Sequence, residues 1–450
     1  MPNDLLSTPC EISQAEALAF ESEAKAALEK AESSGDWDYP RSDAATDSAE
    51  MIAADWAYWL YKLARPTVRA ERNVQEVLFS QDKSVVRLPN EFETEATVTI
   101  GAAGDLMPLN GIELSKDMLF ESVADILFDV DISLANLEAP VTQSSIKGSV
   151  ISGQGPQNPF ILQNSVAQFS TLVGHRGKYF TALNFANNHT FDLGIEGLET
   201  TQKLLAQNGI TIIGTPRNPK EYGRPIILTR EGVKIGFISA TFGLNGRHPP
   251  SNEAYRIHTA KLMSKDVPTD LELLNRQIDD CKKQYCDFIV ASIHWGFEFE
   301  FFPRSRQIEA AHKLVEEGVD LIWGHHPHVI QPLEYYRTKR DPNRIAVIAY
   351  SLGGLTFDEW DAAPHLLLGL IVNLKLAKGF IGSASRTYIE NINPIPVFQN
   401  SFWRGDARLL RIEKLEDHQN GRGEHGSRDR MKHIDQIKEY ADLVLMKSIT

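Results

Sequence analysis

Residues 318–334 read GVDLIWGHHPHVIQPLE, an apolar β-branched run from Leu321 to Trp323 that stops at Gly324 and delivers His325, His326 and His328 around Pro327. A short apolar run bounded by Gly and Pro is a buried strand. In an extended segment, positions two apart share a side, so His326 and His328 are expected to face one ligand while His325 faces elsewhere. Pro327 stiffens the presentation by fixing φ. Neutral imidazoles bind borderline cations such as zinc, iron and manganese, and two of them leave the remaining ligands to come from other parts of the chain.

The same pattern recurs outward from this stretch. Strands are expected at 97–103, 132–135, 179–184, 210–214, 234–240, 288–293, 321–323 and 345–350, alternating with helical periodicity, which makes the body a layered α/β domain. Four more strand ends run into polar or small residues: GDLM at 104–107, NLE at 136–138, NFANNH at 184–189 and HWG at 294–296. Ligands of open α/β sheets sit beyond the carboxyl ends of strands, so these ends are expected to converge on one pocket. Asp105 at the end of an apolar strand is costly unless paired or bound to a cation. Asn136 and Glu138 offer an amide and a carboxylate within three residues, a set suited to hard or borderline cations. Asn187, Asn188 and His189 form a strand-to-helix turn with Asp192 close behind, where one Asn and Asp192 are expected to bond the backbone. His189 is a candidate ligand or proton carrier, and His294 closes the most apolar strand. Glu298, Arg304 and Gln307 flank a helix beginning near Arg306 and are candidate substrate contacts. Glu300, His312 and Glu316 read as surface. No G-x-S-x-G, P-loop or G-x-G-x-x-G is present, so a nucleophile elbow and the common nucleotide folds have no support.

The flanks differ in character. Of the net charge of −14, residues 1–95 contribute −10, from 19 acidic against nine basic residues. That balance argues against nucleic acid as a partner. Helices are expected at 11–34, with Gly35 as C-cap, at 49–64, where Trp56, Trp59, Leu60 and Leu63 form an apolar stripe, and within 67–80. The chain therefore divides into an acidic helical extension (1–95), an α/β body (96–400) and a linker with a C-terminal helix (401–450). Three cysteines without CxxC spacing read as reduced thiols. No run approaches the roughly 18 apolar residues of a membrane span, the nearest being Leu366 to Leu374. The first residues carry no legible secretory signal, so the expectation is cytoplasmic.

Taken in order, GDLM, ANLEAPVT, NFANNHTFDLG, HWGFE, Pro303 with Gln307, GVDLIWGHHPHVIQPLE and YSLGG resemble the CapA family of poly-γ-glutamate capsule synthesis proteins over roughly residues 97–375. That family is similar to the calcineurin-like metallophosphoesterases, which implies a four-layer α/β/β/α sandwich with metals between strand-end side chains. The resemblance implies Asp105, Glu138, Asn188, His294, His326 and His328 as ligands of a divalent metal (Mn, Fe or Zn). His189, His294, Asp105 and Glu138 would be the catalytic groups, with Asn136, Asn187, Glu298, Arg304, Gln307 and His325 as substrate contacts. Met107 stands where the phosphoesterases place a His, and Gly354 replaces the Asn usual after YSLG. The function expected is a metal-assisted hydrolase or transferase acting on a phosphoester or on a glutamate-rich or peptide amide. The alternatives are a metal-free acid/base enzyme such as a peptide epimerase, with Asp105 or Glu138 and His294 flanking the reacting carbon, and a non-enzymatic polymer- or peptide-binding component. The partner expected is such a substrate, with a homo-oligomer or a biosynthetic complex beside it.

Overall fold

In a computed structural model, residues 14–79, 86–146, 148–151, 160–419 and 428–445 are described. The helices are α1 (Gln14–Ser34), α2 (Ala53–Ala64), α3 (Val74–Phe79), α4 (Ala124–Leu127), α5 (Val166–Leu172), α6 (Gly194–Gln207), α7 (Glu272–Lys283), α8 (Ser305–Glu317), α9 (Leu415–Gln419) and α10 (Arg428–Leu445). The major strands are β1 (Glu93–Leu106), β2 (Ile132–Leu137), β3 (Ala182–Asn184), β4 (Thr211–Ile213), β5 (Ile226–Arg230), β6 (Val233–Thr241), β7 (Phe288–His294), β8 (Leu321–His325), β9 (Leu333–Arg337), β10 (Ile345–Ala349), β11 (Gly354–Thr356), β12 (Leu368–Ile381), β13 (Ala384–Arg404) and β14 (Ala407–Lys414). Cys10 and most of the expected linker lie outside the described residues; Cys281 and Cys286 are free.

Two sheets form. The first runs β4-β3-β2-β1-β12-β13-β14, with β11 beside the end of β1, and the second runs β5-β6-β7-β8-β10-β9. Period-two alternation explains how the first sheet serves two cores. Val98, Ile100, Ile132, Leu134 and Ala182 pack with Phe237, Val290 and Ile322 of the second sheet, whereas Leu106, Ala135, Leu137 and Leu183 pack under α4, α5 and α6. Helices α7 and α8 cover the second sheet with Leu274, Ile278 and Leu314. The result is the four-layer α/β/β/α sandwich expected from the sequence. The apolar run Leu366–Leu374 enters β12, paired on both sides, so its hydrophobicity belongs to an internal strand. Among the described residues no helix is long and apolar enough to cross a membrane.

The sequence reading needs adjustment at both flanks. Strand β14 pairs along β13 and carries the sheet past residue 400, where a linker was expected; alternating burial of Leu410 and Ile412 holds it there. The N-terminal helices are fastened to the body through a buried ionic network. Glu300, expected on the surface, is 1% exposed. Its carboxylate accepts from Lys62 Nζ (3.1 Å) and Tyr58 Oη (3.0 Å) of α2 and from Arg304 (2.7 and 2.9 Å). Burial opposes ionisation of Glu300, but the two cations prevail and hold its carboxyl at about 2. His312, also read as surface, is half-buried against the buried Glu334 carboxylate at 2.8 Å. The stripe on α2 is split: Leu60 is exposed, while Trp56 and Trp59 stack at 5.2 Å and meet Phe160.

Candidate metal centre

The three parallel strands β1, β2 and β3 end in register, with Asp105 beside Asn136 and Asn136 beside Asn184. In the second sheet β6, β7 and β8 do the same, with His294 beside His325. The opposed carboxyl ends bring these polar rows together between the sheets. Close backbone packing is a condition: a Cβ on Gly104 would collide with the carbonyl of Gly353, and one on Gly324 with that of Tyr350.

The centre is buried. Asp105, Glu138 and His294 are fully enclosed, and Asn188, His326 and His328 nearly so. Asp105 Oδ1 accepts from Asn136 Nδ2 at 2.9 Å, and Oδ2 accepts from the His326 backbone N–H at 3.1 Å. His325 Nδ1 lies 3.1 Å from Asp105 Oδ1 and His328 Nδ1 3.3 Å from Oδ2. Glu138 Oε1 stands 3.4 Å from His294 Nε2 and 3.6 Å from His328 Nε2, and neither Glu138 oxygen accepts a hydrogen bond from the described residues. His294 Nε2 is 2.8 Å from Asn188 Oδ1. Two sets, Glu138 with His326 and His328, and Asp105 with Glu138 and His294, place their ligand atoms within 4.8 Å of one another. Phe242, Phe299 and Phe357 frame the imidazoles with ring centroids 4.6 to 6.3 Å away. This apolar surround strengthens electrostatic interactions inside it.

The carboxyls are driven apart. Burial opposes the charge on Asp105, but hydrogen bonds with His325 and His328 hold it well below the usual carboxylate range. Burial pushes Glu138 well above that range, and the Asp105 charge adds to it. Burial also holds His294 and His326 well below the ordinary imidazole value, whereas His328 is raised by Asp105 against its own burial. A buried carboxyl with no donor among the described residues, beside a His326 Nδ1 that has no hydrogen-bond partner, is a set of groups that could hold a divalent cation. Burial raises Asp358, near His328, to about 6.

Several of the expected site residues take other partners in the folded chain. The His loop is not extended, with His326 at φ 97° and His328 at φ 55°; His326 and His328 still meet beside Glu138, as expected, but His325 turns to Asp105 rather than away. His325 Nε2 lies 3.1 Å from Ser292 Oγ and its Nδ1 3.1 Å from Asp105 Oδ1, so the buried ring packs among groups of the two sheets. Arg304 is taken up by Glu300 and by the Arg41 carbonyl, and stays with that network. Asn136 and Asn187 spend their amides inside the scaffold: Asn187 Nδ2 donates to Leu137 O at 2.8 Å, and Asn184 Nδ2 donates to Asn136 Oδ1 at 2.9 Å. Gln307 is buried beside Gly296 and Pro327. Glu298 accepts from Trp59 Nε1 at 2.5 Å, and burial raises its carboxyl. His189 pairs through Nδ1 with Asp192 Oδ2 at 2.7 Å, so Asp192 serves this imidazole as well as the Leu162 backbone N–H. Met107 sits in an apolar cluster with Phe299 and Phe357 and brings no donor. Sequence reading missed Asn184, whose place at a strand end was a usable signal. It also missed Asn245, which bonds Asn188 at 3.3 Å, and Thr46, for which no local signal exists.

Known proteins match this body. The chain is 30% identical over 290 residues to the PGA biosynthesis protein CapA of Bacillus subtilis, covering 63% of this chain and 68% of that one. It is 29% identical over 280 residues to the capsule biosynthesis protein CapA of Bacillus anthracis, covering 60% and 62%. A crystal structure of a hypothetical protein from Thermus thermophilus superposes with a TM-score of 0.35 at 13% identity, over 66% of this chain and 98% of that one. The family model for the bacterial capsule synthesis protein PGA_cap matches residues 99–359, a span that contains every strand end of the centre, and the chain belongs to that family.

Proposed function

We propose that this protein is a metal-assisted hydrolase or transferase acting on the amide backbone of a glutamate-rich polymer, in the service of capsule polymer synthesis. The observation that supports it best is Glu138, a carboxylate enclosed between the sheets with no hydrogen-bond donor and with His294, His326 and His328 around it. The names of the Bacillus relatives point to the polymer. Asp105, Glu138, Asn188, His294, His326 and His328 would hold a divalent cation. When bound, such an ion polarises a carbonyl or phosphoryl oxygen and lowers the pKa of water.

The chain's own residues have distinct tasks. His189 would carry a proton: a carboxylate on Nδ1, here Asp192, favours the tautomer that leaves Nε2 for exchange. Asn136, tied to Asp105 and Asn184, keeps the first carboxylate in position. Phe242, Phe299 and Phe357 keep bulk water away. The proposal is tested by incubating manganese-loaded protein with poly-γ-glutamate and counting new amino termini, with a phosphomonoester in parallel. Turnover of poly-γ-glutamate that disappears in the His326→Ala/His328→Ala variant is expected. Equal turnover in that variant would defeat the proposal, and turnover of the phosphoester alone would move the substrate class.

A further inference from the structure

A neighbour of the centre comes from outside the family-matched span. Residues Ala44 to Ser48 of the N-terminal region are all buried, and Thr46 Oγ1 lies 3.0 Å from His326 Nε2, 280 positions away in sequence. The segment is fastened on both sides. Arg304 Nη1 donates to the Arg41 carbonyl at 2.6 Å, Arg41 Nη1 donates to Ala54 O at 2.7 Å, and Lys261 reaches Asp47 and Glu50 at 3.4 and 3.3 Å. Thr46 is therefore carried by a fixed segment.

His326 has two ring nitrogens in different situations. Nε2 faces the Thr46 hydroxyl, while Nδ1 is buried with no hydrogen-bond partner. A histidine that ligates an ion through one nitrogen keeps its proton on the other, and the group accepting that proton fixes tautomer and ring orientation. We infer that Thr46 is a positioning residue of the metal centre: it accepts the Nε2 proton of His326 and so presents the Nδ1 lone pair to the cation. This rests on the metal-centre reading above. It makes the N-terminal region a working part of the centre, although the match to the family begins only at residue 99.

Two readouts separate this inference from the reading beneath it. The first is the ring-nitrogen spectrum of metal-free protein carrying ¹⁵N-histidine, with His326→Gln used to assign the signal. The wild-type protein should hold the proton on Nε2, Thr46→Val should shift His326 toward a mixture of tautomers, and Thr46→Ser should restore it. The second is titration with Mn²⁺ alone, where Thr46→Val should bind about tenfold or more weakly and Thr46→Ser as wild type. A wild-type proton on Nδ1, or a tautomer unchanged in Thr46→Val, would overturn the inference whatever the metal does. An Nε2 proton lost in Thr46→Val, in a protein that takes up no Mn²⁺, would uphold the role of Thr46 and remove the metal. Unaltered or tighter Mn²⁺ binding in a folded Thr46→Val variant would also overturn it.

Discussion

Two buried acidic clusters share this fold, and they are built on opposite terms. Glu300 is enclosed with Lys62, Arg304 and Tyr58, and both its oxygens accept from them. Glu138 is enclosed as deeply, yet among the described residues its ion-pair partners are imidazoles rather than Lys or Arg, and neither oxygen accepts a hydrogen bond. Burying a carboxylate is costly in both places. In the first cluster the chain supplies the counter-charge itself, and the product is a structural clamp between α2 and the body. In the second the compensation is left to a proton or to an ion from solution, which is what the proposed metal centre requires. Depth of burial alone does not distinguish the two; the identity of the partners does.

The contrast can be broken most forcefully at the clamp. Glu300→Gln leaves Lys62 and Arg304 buried without their anion and is expected to cost about 3–5 kcal/mol in urea unfolding at neutral pH. The pH dependence has a definite sign. A carboxyl at about 2 in the folded chain, against 4.5 for the ordinary group, stabilises fully above 4.5 and loses its contribution as pH falls from there toward 2. The gap between wild type and Glu300→Gln should narrow over that window, and a constant gap would show that the network is not the source. Next in size is the effect of metal. At a hundred times its Kd, Mn²⁺ should stabilise the wild-type protein by about 2.7 kcal/mol and leave Glu138→Gln unmoved in a thermal scan.

Smaller effects sharpen the boundary between the clusters. Trp59→Phe removes the donor to Glu298 and should cost about 1 kcal/mol in chemical denaturation, with Mn²⁺ affinity retained. The smallest change is expected from Glu138→Gln in metal-free protein, below about 1 kcal/mol, because burial already favours the neutral acid there. A loss as large as that of Glu300→Gln would show Glu138 to be structural.

Much of the centre was legible because its residues lie at strand ends, and a strand announces itself locally through β-branched runs. Asp105, Glu138, His294 and the His326/His328 pair all belong to that class. What stayed hidden depends on contacts between distant segments. Nothing near Glu300 reveals that Lys62 will reach it from α2, and nothing near Thr46 reveals His326. His325 was misread for a different reason. Alternation was applied to a loop whose backbone turns left-handed at His326 and His328, a departure that sequence spacing does not carry. Arg304 was legible as important but assigned to the wrong cluster, since a cation beside a helix start gives no sign of which carboxylate it will join.

The central claim is that Glu138 and its imidazoles await a cation. Elemental analysis of protein purified without chelators, with Glu138→Gln and His326→Ala/His328→Ala alongside, tests it most directly. One or two equivalents of Mn, Fe or Zn in the wild type, lost from both variants, are expected. A wild-type protein that holds no metal and takes up none when supplied, or variants that retain a full complement, would contradict it.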